Sequence, residues 1–189
     1  NNGRSASERM VITSYGSGPR PVIKNANVTY RESAAVNLLH DIAIVGLEFY
    51  ASYNDPSSPD FGGGTVPSTG ISFDATSASG INPHDILLED VKVSWYNVGV
   101  FFHGKVDSRF SNMSIRRNVI RDNTGMGMFI TYGDNIKFTE NTFIRNAWDK
   151  RTTTIHNVYV TELTGFTAEN NILAYGGNEG LKLSADRVN

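Results

Sequence analysis

The segment "DNIKFTENTFIRN", residues 134–146, carries the pattern that decides the fold. Ile136, Phe138 and Phe143 are spaced as strand residues that face a core, because side chains alternate between the two faces of a strand. Asn141 lies among them, where a buried strand would carry an apolar residue. A buried amide needs a hydrogen-bond partner. A repeat of the same position in neighbouring strands would supply one.

The pattern does recur along the chain. Three segments align without gaps and carry Asn at their sixth position: "MSIRRNVI" (113–120), "IKFTENTF" (136–143) and "FTAENNIL" (166–173). The segments "IAIVGLEF" (42–49) and "ILLEDVKV" (86–93) fit the same frame with an apolar residue in place of Asn. Short strands repeated in this way are typical of a solenoid, in which each coil stacks on the one before.

A second strand follows the first at a similar offset in each unit. It reads "GISFDA", "GVFFHG", "GMFITYG", "NVYVTE" and "GLKLSA", and its first inward residues are Ile71, Val100, Met128, Val158 and Leu181. These residues are 29, 28, 30 and 23 positions apart. Equivalent residues of stacked coils lie about 4.8 Å apart, so the amides of Asn118, Asn141 and Asn171 can bond to one another. The sequence therefore predicts an asparagine ladder.

Composition agrees with one all-β domain over residues 1–189. No stretch shows the apolar spacing of an amphipathic helix, and short alternating runs ended by Gly, Asn or Asp dominate. The net charge of −2 and the absence of any run of 18 apolar residues argue against a nucleic-acid partner and a membrane-spanning helix. With no cysteine, disulfides and thiolate metal sites are excluded. Residues 50–70, rich in Ser, Pro, Asp and Gly, are predicted to form a surface loop insertion.

Over roughly residues 10–185, this frame resembles the right-handed parallel β-helix of pectate lyases, polygalacturonases, phage tailspikes and related surface proteins. The resemblance implies about six coils. Members of the family carry capping segments, and neither end of this sequence shows one, so we expect a fragment-like chain with both caps missing or its ends covered by something else. A β-sandwich would explain the alternation but not the Asn residues in register.

The resemblance implies a ligand cleft along the outer face of the strand that begins at the Gly. One outward column of that face is predicted to contain Asn37, Ser72, Phe101, Phe129, Tyr159 and Lys182. The next column is predicted to contain Leu39, Asp74, His103, Thr131, Thr161 and Ser184. Phe101, Phe129, Tyr159 and Lys182 are the predicted substrate-binding residues, with the rings offering flat faces to pyranose units. The alternative is that the loop "NAWDKRTTTI" folds over these rings and buries them.

The second column and the loop "HGKVDSRF" that begins at His103 contain the candidate catalytic residues. His103 is the candidate base, Asp74 would orient it, and Lys105 or Arg109 would neutralise a uronate carboxylate. The alternative is a surface salt-bridge cluster. "NPHDI" (82–86) resembles the Asp-Pro-His-Glu site of alginate epimerases, but "HDI" recurs at 40–42, which favours a structural role in which Asp forms the turn and Ile enters the core.

These observations predict a secreted or cell-surface protein that binds an acidic polysaccharide and, if it is an enzyme, cleaves it by β-elimination as a lyase does. A non-catalytic adhesin or fibre module, capable of end-to-end self-association, is the alternative. The sequence requires no cofactor, although Asp55, Asp60 and Asp74 are candidate Ca²⁺ ligands.

Overall fold

The chain coils into a stack of short parallel strands with three faces. The computed structural model describes residues 2–26, 28–31, 39–63, 69–77, 80, 82–148 and 156–185. Every pairing between named strands is parallel, and each strand pairs with its counterparts in neighbouring coils. This is the predicted parallel β-helix.

The strands fall into three columns, which we name faces A, B and C. Face A contains β3 (Val28–Arg31), β6 (Thr69–Asp74), β9 (Val98–His103), the first halves of β12 (Met126–Thr139) and β14 (Val158–Glu169), and β16 (Leu181–Ala185). Face B contains β1 (Met10–Thr13), β4 (His40–Val45), β7 (His84–Glu89), β10 (Phe110–Arg116) and the second halves of β12 and β14. Face C contains β2 (Val22–Lys24), β5 (Glu48–Tyr50), β8 (Lys92–Ser94), β11 (Val119–Arg121), β13 (Thr142–Ile144) and β15 (Ile172–Ala174).

The six strands of face C correspond to the predicted number of coils. Among the described residues, the one helical element is a 3₁₀ turn at Ser52–Asn54. No helix in this part of the chain is long and apolar enough to cross a membrane.

The interior is filled by columns of apolar side chains in register. On face A, Val100 pairs with Met128, which pairs with Val158, and all three are buried. Phe73 and Phe102 stack inside the helix with their ring centroids 4.6 Å apart. Each such side chain stabilises the fold by about 1.5–3 kcal/mol through burial. No single coil could bury these residues, so stacking and folding are the same event.

The predicted asparagine ladder is present at the corner between faces B and C. Asn118 Nδ2 donates to Asn141 Oδ1, and Asn141 Nδ2 donates to Asn171 Oδ1, both over 3.0 Å. Each amide also donates to a backbone carbonyl of the preceding coil. Above Asn118 the column continues with Val91, whose N–H donates to Asn118 Oδ1. The buried polar groups are therefore satisfied by their own repeat.

The corner that opens face B explains the repeated "HDI". Positive φ angles occur there at one position in successive coils: Asp41, Asp85, Asn112, Asn135 and Gly165. Asp, Asn and Gly are the residue types that tolerate a left-handed backbone. Ile42 and Ile86, the next residues, are buried in the core. The "HDI" segments are thus corner elements, as the sequence indicated.

The first coil differs from the prediction on face A. Thr29 pairs with Ser72 and Arg31 with Asp74, so β3 supplies the positions that were assigned to Asn37 and Leu39. Leu39 is instead a buried core residue just before β4, and Asn37 lies outside the described residues. Both "VTYR" and "VNLL" carry apolar residues at their first and third positions, so the apolar pattern could not show which segment forms the face A strand.

Residues 50–70 are not uniformly on the surface. Ala51, Ser52, Asn54 and Asp55 are buried, while residues 59–63 are exposed. Asn54 Nδ2 donates to the Trp95 carbonyl over 2.8 Å, and Tyr50 donates its hydroxyl proton to Asp55. The start of the insertion is therefore built into the helix wall.

Candidate functional site

The outer surface of face A presents the predicted aromatic column. Phe101 stacks on Phe129 with ring centroids 5.2 Å apart, and Phe129 stacks on Tyr159 at 5.0 Å, with the planes within 8° of parallel. Strict register produces this arrangement, because Phe101, Phe129 and Tyr159 are paired residues of β9, β12 and β14. The three rings form one half-buried stack on the outside of the helix.

Both ends of this aromatic stack are covered. The His103 ring lies parallel to Phe101, with centroids 4.8 Å apart, and Lys182 Nζ lies 5.3 Å from the centroid of Tyr159. The ring faces are thus occupied by each other, by an imidazole and by a cation. Only ring edges remain for a ligand. Substrate binding by Phe101, Phe129, Tyr159 and Lys182 stays a prediction, with edge contact in place of face contact.

His103 and Asp74 lie side by side, as the register predicted. They are paired residues of β9 and β6, and His103 Nδ1 is 3.8 Å from Asp74 Oδ1. Asp74 is held in place by Thr76, whose N–H and hydroxyl both donate to Asp74 Oδ1. The His103 side chain is 45% exposed, so its ring can reach a ligand on face A. At 3.8 Å the contact is too long for a hydrogen bond, and it is an ion pair only when the His103 ring is protonated.

The two candidate cations differ in their surroundings. Arg109 makes a bidentate ion pair with Asp134, with both N–O distances at 2.8 Å, and donates to the Glu162 carbonyl. It thereby ties β12 and β14 together at the corner between faces A and B. Lys105 lies in the short hairpin after β9, where its Nζ is 3.6 Å from Asp107. The Lys105 side chain is 31% exposed and that of Arg109 20%, and the carboxylate-neutralising role of either stays a prediction.

The candidate Ca²⁺ ligands each have protein partners. Asp55 accepts from Ser57, Asp60 from Lys24 and Ser52, and Asp74 from Thr76. Within the described ranges, the cluster whose ligand atoms lie close enough to hold a metal ion is a different one, Asp41, His84 and Asp85, within 4.8 Å of one another. It lies at the start of face B, where His84 already contacts Asp85 at 2.7 Å.

A second asparagine ladder was missed by the sequence reasoning. At the corner after face C, Asn123 Nδ2 donates to Asn146 Oδ1 over 2.7 Å, and Asn146 Nδ2 donates to Asn157 Oδ1 over 3.0 Å. This ladder requires the Gly that opens the face A strands, because a Cβ on Gly127 would lie 2.8 Å from Asn146 Nδ2. The signal was present in the sequence. Asn123 and Asn146 each come five residues after a member of the first ladder.

A surface column was missed as well. Its members are Trp95, Asp122, Arg145 and Tyr175, each four residues after a position of the first ladder column. They occupy the same corner in four successive coils, just after β8, β11, β13 and β15. Counting from the ladder would have found this column, which lies away from the predicted cleft.

Comparison with known proteins identifies the fold family and nothing more specific. Residues 62–189 match a family model described as a right handed beta helix region. Neither the curated proteins nor the solved structures contain a significant match. The match covers more than half of the chain and agrees with the parallel coils and stacked asparagines. The chain therefore belongs to the right-handed β-helix family.

Proposed function

We propose that this β-helix binds an acidic polysaccharide along face A and cleaves it by β-elimination. The observation that carries the proposal is the pairing of His103 with Asp74 on adjacent strands of an open outer face. A carboxylate beside an imidazole keeps the ring oriented and stabilises the imidazolium that forms when it accepts a proton. Contacts that are long without a ligand commonly tighten when substrate binds.

The reaction uses His103 on face A and Lys105 in the hairpin that follows β9. His103 takes the proton from the sugar carbon next to the uronate carboxylate. The electron pair of that C–H bond forms a double bond to the neighbouring carbon, the glycosidic C–O bond on that carbon breaks, and the leaving oxygen takes a proton from water. Lys105 follows two residues after His103 and supplies positive charge for the carboxylate, which gains charge in the transition state.

Binding extends along the stack of coils. Lys182 is paired with Tyr159, three coils beyond the strand of His103, or about 14 Å away at the spacing of stacked strands. A polysaccharide laid along face A would meet Lys105 near one end and Lys182 near the other, with the edges of the aromatic stack between them. Because such polymers are extracellular, the proposal includes export or display at the cell surface.

A scaffold or fibre module is the second candidate, and the covered ring faces favour it. Stacked aromatic rings contribute about 0.5–1.5 kcal/mol per pair beyond area burial, so the stack of Phe101, Phe129 and Tyr159 stabilises the helix without any ligand. This candidate predicts end-to-end oligomers, which analytical ultracentrifugation over a concentration series would detect.

The test is incubation with polygalacturonate, alginate and glycosaminoglycans while ultraviolet absorbance and reducing ends are followed together. Absorbance that rises with new reducing ends means β-elimination. We expect His103→Gln to abolish it and His84→Gln to leave it unchanged, since His84 makes a similar contact to an Asp on face B. Full activity of His103→Gln would refute the assignment of the base. If a folded sample produced neither an absorbance change nor new reducing ends with any substrate, the scaffold function would be favoured.

A further inference from the structure

The corner column of Trp95, Asp122, Arg145 and Tyr175 forms part of an open groove. Together with Pro56 and Trp148, these residues enclose a volume of about 310 Å³, and we name this site the tryptophan groove. That volume lies at the lower end of the range for small-molecule sites. The groove lies next to face C, and none of its lining residues in the described part of the chain belongs to face A.

The aromatic surfaces of the groove are open, unlike those of the face A stack. The Trp95 and Trp148 rings meet at 71° with centroids 6.4 Å apart, so one forms a floor and the other a wall. Trp148 is 46% exposed and Tyr175 is 80% exposed. The indole N–H of Trp148 donates to the Asp122 carbonyl over 3.2 Å, which fixes the wall. Aromatic faces therefore remain available to a ligand.

Charges around the groove balance. Arg145 makes a bidentate ion pair with Asp122 through N–O distances of 2.7 and 3.1 Å, and Arg121 lies 3.5 Å from the same carboxylate. Arg121 also acts electrostatically on Asp55, next to Pro56. Two guanidinium groups thus face two carboxylates. Because they neutralise each other, the described residues around the groove offer no net charge to attract an ionic ligand.

The balance leaves hydrogen-bond donors in place. A guanidinium has five N–H donors, and the bonds from Arg145 to Asp122 use two of them. The groove therefore combines open aromatic faces with donors at its edge. That combination suits a molecule that has an apolar face and a rim of hydroxyl groups.

We propose that the tryptophan groove binds one neutral pyranose unit of a glycan, at a site separate from face A. The C–H groups on one face of a pyranose pack on the electron-rich face of an indole, and its equatorial hydroxyls reach the Arg145 donors. A proline-rich peptide needs a groove between aromatic rings that follows an extended helix. The nearly perpendicular rings of Trp95 and Trp148 form a pocket for a single ring.

Tryptophan fluorescence tests this proposal directly, because the chain contains two tryptophans and both line the groove. The intact chain would be titrated with a β-1,4-linked glucose hexasaccharide, in which both sugar faces carry C–H groups. Parallel titrations would use a galacturonate hexasaccharide and a proline-rich peptide. Tyr175→Asn removes an exposed ring while keeping a residue suited to the left-handed backbone, and Tyr15→Asn is the matched control on another exposed tyrosine.

We expect saturable quenching or a blue shift with the neutral hexasaccharide, with affinity weakened about tenfold by Tyr175→Asn and unchanged by Tyr15→Asn. No saturable response to this neutral probe, or equal affinity in Tyr175→Asn, would overturn the proposal. A response to the galacturonate or the peptide alone would overturn it in favour of that ligand. Lyase activity on face A is read separately, so either proposal can fail without the other.

Discussion

Replacing Asn141 with Val tests whether the ladder amides, rather than apolar burial alone, hold the coils in register. Asn141 is buried, and its amide makes four hydrogen bonds. Valine occupies the same column one coil above the ladder, at Val91, so the new side chain fits the column in size. The substitution therefore removes hydrogen bonds with little change in shape.

The cost follows from which groups lose a partner. Asn118 Nδ2 keeps the Leu88 carbonyl, and Asn171 Oδ1 keeps the backbone N–H of residue 141. The N–H of Asn118 loses the Asn141 amide, and the carbonyl of Ile115, a residue of the β10–β12 ladder, loses the bond from Asn141 Nδ2. At about 1–3 kcal/mol for a buried group left unsatisfied and about 1 kcal/mol for a further hydrogen bond lost, we expect a loss of about 3 kcal/mol in the free energy of unfolding. For a chain of this size that lowers the melting temperature by about 10 °C.

Thermal and urea unfolding followed by circular dichroism would measure this loss. Asn97→Val is the matched control, because Asn97 is exposed and the same substitution there should change the stability by less than about 0.5 kcal/mol. If Asn141→Val melted within the error of Asn97→Val, the amide bonds would contribute nothing net. The reasoning that a buried Asn is retained for its hydrogen bonds would then be refuted.

Three further outcomes follow from the structure. Burial lowers the pKa of His156 below its ordinary 6.5, so the unfolded chain takes up the proton first, and stability present above about pH 6.5 is lost as the pH falls. His156→Leu should therefore flatten the dependence of the melting temperature on pH between about pH 7 and pH 5. Gly127→Ala should cost about 1–3 kcal/mol in chemical denaturation, since its Cβ would lie 2.5 Å from a backbone oxygen, whereas Gly18→Ala meets nothing within 4 Å. Arg109→Ala should lower the melting temperature by several degrees, because the bidentate ion pair with Asp134 is lost. Lys105→Ala should weaken turnover of uronates with little change in melting temperature. The reverse pattern would exchange the roles of the two residues.

The parts of the fold that sequence could predict are those set by strict repetition. Asn118, Asn141 and Asn171 stand at one position of a gapless frame, and a one-residue slip would turn every inward side chain outward. That constraint fixed the ladder and the inward columns. It also placed Asp74 beside His103, because paired strands in register bring equivalent residues together.

The rest depended on contacts that repetition does not encode. Counting five residues from the first ladder column finds Asn123 and Asn146 but gives Tyr96 at the first position. Asn157 joins the second ladder from the residue before β14, where that count does not reach it. The alternation also could not show that Phe101 would stack on His103, since a side chain's torsions decide that contact. Nor could it show that Arg109 would be drawn into the corner by Asp134, which is 25 residues away.

At the corners, the left-handed backbone conformation explains the residue type at some positions but not at others. A non-glycine residue in this conformation costs about 1–2 kcal/mol unless it is Asn or Asp. The position that opens the face B strands carries Asp, Asn or Gly, whereas Tyr132 and Glu162 are the exceptions earlier in the same corner. At the ladder corner, the exceptions Arg117 and Glu140 form an ion pair with each other.

At the groove corner the exceptions are Trp95, Arg145 and Tyr175, with φ angles of 70°, 53° and 53°. Arg145 has its ion pair with Asp122, but Tyr175 projects into solvent with four fifths of its surface exposed. Backbone preference does not account for aromatic rings at these positions. Strained residues of this kind concentrate at binding sites. A ligand that covers the rings of Trp95 and Tyr175 would supply the contact that offsets the strain.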